Sequence, residues 1–463
     1  MNRNVKQPDP DAPLMLGVSG LRGLVGRSLT PELAVRYAQA FAAWLIDHHG
    51  VTRGSRIVVG RDSRPSGEMI EAAVVAGLLS MGLQPRRAGV VSTPGVAGAV
   101  QRAEAAGGLI ITASHNPAPW NGVKPIRHDA TAPPAADAQL IIDAFHRGTF
   151  DLVDAEACPR TDEPIPADRW HVDAVLDIID ADAIKRAGLT AAVDATRGAG
   201  GPETRALLDA LGVEATVLYA EPTGEFPHPP EPQAANLGEL CEAVSQQHAR
   251  VGFAIDPDAD RLALVDETGR YIGEEYTLAL AARRRLRKGD VAVANLSTSR
   301  MIDDAADAVA ASVVRTPVGE ANVAEAMREH RARIGGEGNG GVIVPGLSWV
   351  RDSLASIALV LELLAADGRP LSEIVDALPS YAIRKDKRDR PADYDPDAVA
   401  NRVTERFPDA AIDTRDGVRV DWPDRWLSLR ASNTEPILRL IAESPTVEQS
   451  DELLAQAATL LDH

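Results

Sequence analysis

Residues 107–117 read GGLIITASHNP: a glycine-opened apolar run, then a hydroxyl, an imidazole and an amide in quick succession, then proline. A short continuous apolar run bounded by a turn signal fits a strand buried on both faces. The proline ends it, so Ser114 is expected on an exposed loop at the strand's carboxyl end. A serine there is either a nucleophile or a turn residue.

The surrounding sequence repeats one theme. Helical periodicity over 30–49 and 66–82 alternates with apolar strands at RIVVG (56–60) and near RAGVV (87–91), and a further helix follows STPG (92–95). Alternating helices and buried strands joined by short glycine turns predict an α/β domain with a mixed sheet covered on both faces. An acidic, proline-bearing connector, DAEACPRTDEPIPAD (154–168), separates it from a second α/β unit, and a third begins near Tyr271. The last 80 or so residues change character: alternating strands between two helical segments predict an antiparallel sheet with helices on one face. The chain therefore divides into three similar α/β domains, 1–160, 161–270 and 271–380, and a smaller α+β domain, 381–463. The charged stretch from Lys385 to Arg390 is expected as an exposed, weakly packed connector, which makes the fourth domain the mobile part.

Composition narrows the function classes. At 463 residues with 45% hydrophobic and 25% charged residues, the chain is a multidomain globular protein. Its net charge of -19 and the lack of a basic stripe with aromatics argue against nucleic acid as a partner. Two cysteines, Cys158 and Cys241, supply neither a disulfide framework nor a zinc site. No run has the length of a signal peptide core or a membrane span, so the expectation is a cytoplasmic protein. Monomer and dimer both stay open.

Four loops carry chemistry besides that of Ser114. In FAIDPDADRLALVD (253–266), Asp256, Asp258 and Asp260 recur at every second residue, which in extended backbone brings three carboxylates to one side. Such a set repels itself unless a cation sits among the oxygens, and an oxygen-only set favours magnesium over zinc. Calcium-loop spacing also fits Asp256, Asp258, Asp260 and Glu267, but Arg261 stands where that loop needs glycine, and the flanks read as strands. RASNTEP (430–436) offers the Arg430 fork and donors from Ser432, Asn433 and Thr434; such a turn serves as an anion cradle or as a hairpin tip. GGEGNGG (335–341) reads first as a flexible loop, although Glu337 and Asn339 can reach a polyol. In GVSGLRGLVG (17–26), Arg22 reads as a surface charge unless a phosphorylated centre lies near; Lys124, in NGVKP, offers the same service.

Taken in order, SGLRG, TASHNP, DPDADR, GEGNGG and RASNTEP resemble the α-D-phosphohexomutase superfamily over nearly the whole chain. The resemblance implies four domains around a central cleft, each giving one loop. It implies that Ser114 carries a phosphoryl group, and that Asp256, Asp258 and Asp260 bind Mg2+ together with a phosphoserine oxygen on Ser114. Glu337 and Asn339 would meet sugar hydroxyls, and Arg430, Ser432, Asn433 and Thr434 the phosphate that is not transferred. Arg22, Lys124 and Arg261 would supply positive charge, with His115 a further donor; the general acid and base stay unassigned among Lys124, His115 and Arg22. A hexose or hexosamine phosphate is the implied substrate, with glucose or glucosamine 1,6-bisphosphate as activator.

Two departures stand out. Many relatives carry Ser and His in the pattern G-E-x-S-G-H, where this chain has Asn339 and Gly341, and a histidine or other basic residue is common in the loop where TPVGEAN (316–322) has Glu320. GEGNGG followed by VIVPGLSWVRDS looks most like the phosphoglucosamine mutase subgroup, with glucose or mannose phosphates as the alternative substrates. A magnesium-dependent phosphatase and a non-catalytic sugar-phosphate binder are the rival classes. The first would not need Ser114, and the second would need no nucleophile.

Overall fold

A computed structural model describes residues 12–391, 393–432 and 437–461. Its first sheet has six strands in the order Leu14–Gly17, Gly20–Leu24, Trp120–Arg127, Gly107–Ile111, Arg56–Arg61, Gln84–Val90. The strand that ends at the TASHNP loop lies inside this sheet, parallel to Arg56–Arg61 and antiparallel to Trp120–Arg127. All five of its residues are buried, as the unbroken apolar run requires. Side chains alternate faces: Leu109 and Ile111 join a core with Phe41, Trp44 and Ile70, while Ile110 joins Val96 and Val100 on the opposite face.

The second sheet runs Tyr271–Gly273, Leu262–Asp266, Val251–Ile255, Thr190–Asp194, Glu214–Leu218, and the third runs Ser312–Thr316, Val291–Asn295, Ile334–Glu337, Gly341–Ile343. Tyr271–Gly273 is thus the edge of the second sheet, three residues past the expected division at 270. One continuous hydrophobic core serves both units, joining Val193, Phe253 and Leu264 to Leu280, Ala294 and the helix Ser353–Asp367. The fourth sheet is wholly antiparallel: Ala382–Asp389, Ile437–Ser444, Trp426–Ala431, Val418–Asp421, Ala411–Asp413. Helices Pro396–Arg406 and Val447–Thr459 share its core.

The reading of 385–390 as a connector is corrected here. Residues 382–389 form an eight-residue edge strand paired along its whole length with Ile437–Ser444. Its charges are those of an edge strand, where lysine and arginine discourage pairing with another chain. Lys385 also ties it to the third unit, reaching Glu274 at 3.1 Å and Glu275 at 3.2 Å. Among the described residues no helix is long and apolar enough to cross a membrane.

One topological position recurs. In each of the first three sheets a core strand with a parallel neighbour ends in a loop and returns antiparallel: 112–119, 256–261 and 338–340. Residues 432–436 join Trp426–Ala431 to Ile437–Ser444 in the fourth. In the three α/β sheets these loops lie at the carboxyl ends of strands, where open α/β sheets receive ligands, whereas Arg22 lies within the strand Gly20–Leu24.

Candidate active site

Ser114 takes a left-handed backbone conformation, φ 51°, at the start of its loop. Few non-glycine residues do so without support. Support comes from Arg64, which sequence reading did not single out: its terminal nitrogens donate to the carbonyls of Ser114, Asn116, Pro117 and Trp120 at 2.6–3.1 Å, and its Nε to Asp62 at 3.0 Å. Asp62 accepts from Thr112 Oγ1, which in turn accepts from Ser114 N. The serine is accordingly buried, 2% exposed, and not on an open loop as expected. Its Oγ donates to Asp256 Oδ2 at 3.1 Å and lies 3.4 Å from His115 Nδ1.

The three aspartates converge, though not through extended backbone. Residues 256–261 turn, with Ala259 at φ 54° and the amides of Asp260 and Arg261 donating to Asp256 Oδ1. The turn still leaves ligand oxygens of Asp256, Asp258 and Asp260 within 4.8 Å of one another, all three side chains buried. Asp258 Oδ1 and Asp260 Oδ1 accept no hydrogen bond, a costly state for buried carboxylate oxygens. Burial, then the charges of Asp260 and Asp258, holds the Asp256 carboxyl well above the usual range. An all-oxygen donor set with orphaned acceptors and internal repulsion fits a hard divalent cation such as magnesium.

Cations line the same space. Lys124 lies 2.9 Å from Asp258 and 3.4 Å from Asp260; burial opposes its charge, but those two carboxylates outweigh it and raise its pKa. Against burial, Arg351, Lys124 and Arg261 hold Asp260 well below the ordinary carboxylate range. Burial first, then Arg261 and Arg22, pushes the His115 imidazole down to about 2, so the ring is neutral. Arg22 donates to Asn116 at 3.4 Å, and its buried Nε has no hydrogen-bond partner. Arg261 sits 3.8 Å from both Asp260 and Glu231.

Arg351 is the second residue that sequence reading missed. Its guanidinium reaches Asp260 at 2.6 Å, Glu337 at 2.7 Å and Glu320 at 3.1 Å, joining the aspartate loop to the third unit. It passes directly over Gly341, where a Cβ would stand 2.0 Å from Arg351 Cδ. Glycine at 341 thus makes room for an arginine from ten residues downstream. Glu337 accepts in addition from Asn295 at 2.8 Å and from the Gly319 amide at 3.2 Å. Asn339 points a buried Oδ1 at no protein donor. Glu320, the acidic residue in the basic position, is Arg351's partner.

The fold brings Ser114, His115, Arg22, Lys124, Arg261 and the three aspartates together, and Arg351 adds Glu337. Arg430 belongs to the fourth unit, 3.1 Å from Asp416, with Ser432 buried beyond it. Asn433 and Thr434 lie outside the described residues.

Behind the aspartate loop lies a buried network with no counterpart in the sequence reading. His171 meets Glu203 at 3.0 Å through Nδ1 and Asp352 at 2.8 Å through Nε2, and Glu203 accepts from Ser92 N and Oγ. Burial alone would lower the imidazole; the carboxylates of Asp352 and Glu203 overcome it and raise it to about 10. The neighbours of both ends grip the aspartate loop. Thr93 bonds Asp258 through backbone and side chain, at 2.8 and 2.7 Å, and Ser353 bonds the carbonyls of Ala259 and Arg261.

Comparisons with known proteins agree along the whole chain. Residues 13–152, 169–269 and 273–381 match the models of phosphoglucomutase/phosphomannomutase alpha/beta/alpha domains I, II and III, and 384–460 match the C-terminal domain. A Thermococcus kodakarensis protein named "Phosphoglucomutase/phosphomannomutase" is 35% identical, over 97% of this chain and 98% of its own. A Methanopyrus kandleri protein named "Probable phosphoglucosamine mutase" is 36% identical, over 94% and 95%. A solved phosphoglucomutase/phosphomannomutase family protein from Burkholderia thailandensis superposes with a TM-score of 0.83 at 24% identity, covering 96% of each chain, which is a likeness of fold.

Proposed function

Because this chain belongs to the phosphoglucomutase/phosphomannomutase family and is a phosphohexomutase, we propose that it interconverts glucosamine 6-phosphate and glucosamine 1-phosphate through a phosphorylated Ser114 and a sugar 1,6-bisphosphate. The observation that carries this reading is the Ser114 hydroxyl held 3.1 Å from Asp256 amid the buried aspartate cluster and Lys124. A phosphatase that activates water at the aspartate loop would not need Ser114 there.

In the forward half, phosphoserine Ser114 gives its phosphoryl group to the free sugar hydroxyl: the serine O–P bond breaks, a sugar O–P bond forms, and the proton lost by the sugar hydroxyl is balanced by the one gained by the departing Ser114 oxygen. The bisphosphate turns over, and its other phosphate returns to Ser114. Asp256, Asp258 and Asp260 would hold Mg2+, which would supply positive charge for the transferred phosphoryl oxygens. The chain's own cations do the rest of the stabilising. Lys124, paired with Asp258 and Asp260, brings a charged donor to the same space. A neutral His115 held down to about 2 is a weak proton acceptor and serves Ser114 as a hydrogen-bonding neighbour. Arg22 and Arg261 flank the same space and stabilise charge spread over the phosphoryl oxygens.

Glu337 takes sugar hydroxyls, with Asn339 Oδ1 available beside it, and Arg430, Ser432, Asn433 and Thr434 grip the phosphate that stays. The GEGNGG loop and the name of the Methanopyrus relative favour the amino sugar; the name of the Thermococcus relative supports glucose or mannose phosphates as the second reading. Phosphorus NMR of the protein with magnesium and a trace of 1,6-bisphosphate, offered each 6-phosphate separately, tests both. The fastest new 1-phosphate signal is expected from glucosamine 6-phosphate. Faster glucose or mannose turnover overturns the substrate, and inorganic phosphate as the only product overturns the mutase mechanism.

A further inference from the structure

We propose that Asp416 is a positioning residue that couples the Arg430 grip on the substrate phosphate to the docking of the fourth unit on the third. The proposal rests on the assignment of Arg430 to that phosphate.

Asp416 sits in the turn between Ala411–Asp413 and Val418–Asp421. The turn lies flat on the backbone that carries Arg430: Gly417 has φ +73°, and a Cβ there would stand 2.3 Å from Leu429 O and 2.8 Å from Arg430 Cα. Only glycine permits this approach. Asp416 is therefore held beside Arg430 by the chain itself. The neighbouring Arg415 does not compete for it, being turned out to Asp413.

A single oxygen, Asp416 Oδ2, makes two contacts. It lies 3.1 Å from Arg430 Nε and accepts the Val318 amide of the third unit at 2.8 Å. Arg430 Nε makes no hydrogen bond, so the contact is a charge pairing that keeps the guanidinium, whose two terminal nitrogens form the fork that matches a phosphate, beside Asp416. The next amide along, Gly319 N, donates to Glu337 Oε1 at 3.2 Å. Consecutive amides of one loop thus hold the carboxylate behind the phosphate arginine and the carboxylate assigned to sugar hydroxyls. Lifting the fourth unit breaks the Val318 bond and removes Arg430 from the loop in the same motion.

Other ties between the units run through Arg300, which donates to the carbonyls of Trp422 and Pro423 and by its amide to Glu443, through Arg419, which donates to the Leu296 carbonyl, and through Lys385. Of these ties, Asp416 is the one that also touches Arg430. It acts on the phosphate, while the others act on docking alone.

The test compares Asp416→Ala, Asp416→Asn, Arg430→Ala and the Asp416→Ala/Arg430→Ala double variant in steady-state mutase kinetics, with melting temperatures recorded for each. Asp416→Ala is expected to raise KM for the sugar phosphate about tenfold, the usual effect of losing a charge-assisted contact, with kcat changed far less. Asp416→Asn keeps an oxygen for the Val318 amide and should raise KM less; it carries the test if the alanine variant does not fold. The double variant should be no worse than Arg430→Ala, since Asp416 acts through Arg430. A raised KM in Arg430→Ala with KM unchanged in both Asp416 variants overturns the coupling alone, as does a fully additive double variant. An unchanged KM in Arg430→Ala instead overturns the phosphate assignment, and the proposal with it.

Discussion

Replacing His171 by glutamine removes the one positive charge from a buried site that keeps Glu203 and Asp352. Glutamine can hold one of the two hydrogen bonds but neutralises neither carboxylate. Moving the imidazole from its ordinary 6.5 to about 10 corresponds to about 5 kcal/mol of stability, at about 1.4 kcal/mol per pH unit. Removing one partner from a buried ion pair costs a similar 3–5 kcal/mol or so. For a cooperative unit of about 150–250 residues this lowers Tm by roughly 10 °C.

The pH dependence separates this charge from simple packing loss. A group whose pKa is raised on folding contributes fully below the unfolded value and loses its contribution as pH rises to the folded one. The wild type should therefore lose about 1.4 kcal/mol per pH unit from this group between about pH 6.5 and 10, and His171→Gln should lack that component. Thermal and urea melts of both proteins at pH 6.5, 8 and 9.5 give the comparison. The stability gap is expected to be widest at pH 6.5 and nearly closed at 9.5. A gap that stays constant with pH, or a variant that melts within 2 °C or so of wild type throughout, refutes the imidazolium clamp.

Ser114→Ala should abolish mutase turnover while leaving Tm within a few degrees or so, since a buried hydroxyl lost with its hydrogen bond costs only about 1 kcal/mol; phosphorus NMR and a melt check both halves, and activity within a few-fold of wild type rejects the nucleophile. Asp258→Asn takes a negative charge from the cluster while keeping one oxygen for Thr93 and Lys124, so activation should need at least about tenfold more magnesium; an unchanged magnesium titration rejects the metal loop. Gly341→Ala puts a methyl into Arg351, which three carboxylates pin in place, so it should cost about 1–3 kcal/mol and lower kcat. A crystal structure of that variant with Arg351 unmoved would contradict the argument.

How much of this was legible in the sequence depended on distance along the chain. The TASHNP and DPDADR loops were readable because each carries its groups within a few residues, between apolar runs that could only be buried strands. The aspartates converge as expected, yet through a turn at Ala259 and not by alternation, since Asp256 caps the amides of Asp260 and Arg261. Nothing in RDSRP announced that Arg64 would fasten four carbonyls of the serine loop, because that loop begins 48 residues later. The strand at 382–389 was hidden for a different reason. An edge strand with solvated charges lacks the apolar alternation by which strands are recognised.

Arg351 shows what signal was there to use. Glycine at 341, where many relatives carry histidine, was read as a loss of chemistry. A small residue in a crowded site is also a vacancy for some other side chain, and a buried Glu337 with Asp260 nearby demands a cation. Asking which arginine could reach that space would have pointed to WVRDS, just ahead of the helix Ser353–Asp367. The same question explains Glu320: a basic residue there would face Arg351 and repel it, so the acid in the approach loop and the glycine in the sugar loop both accommodate the same arginine.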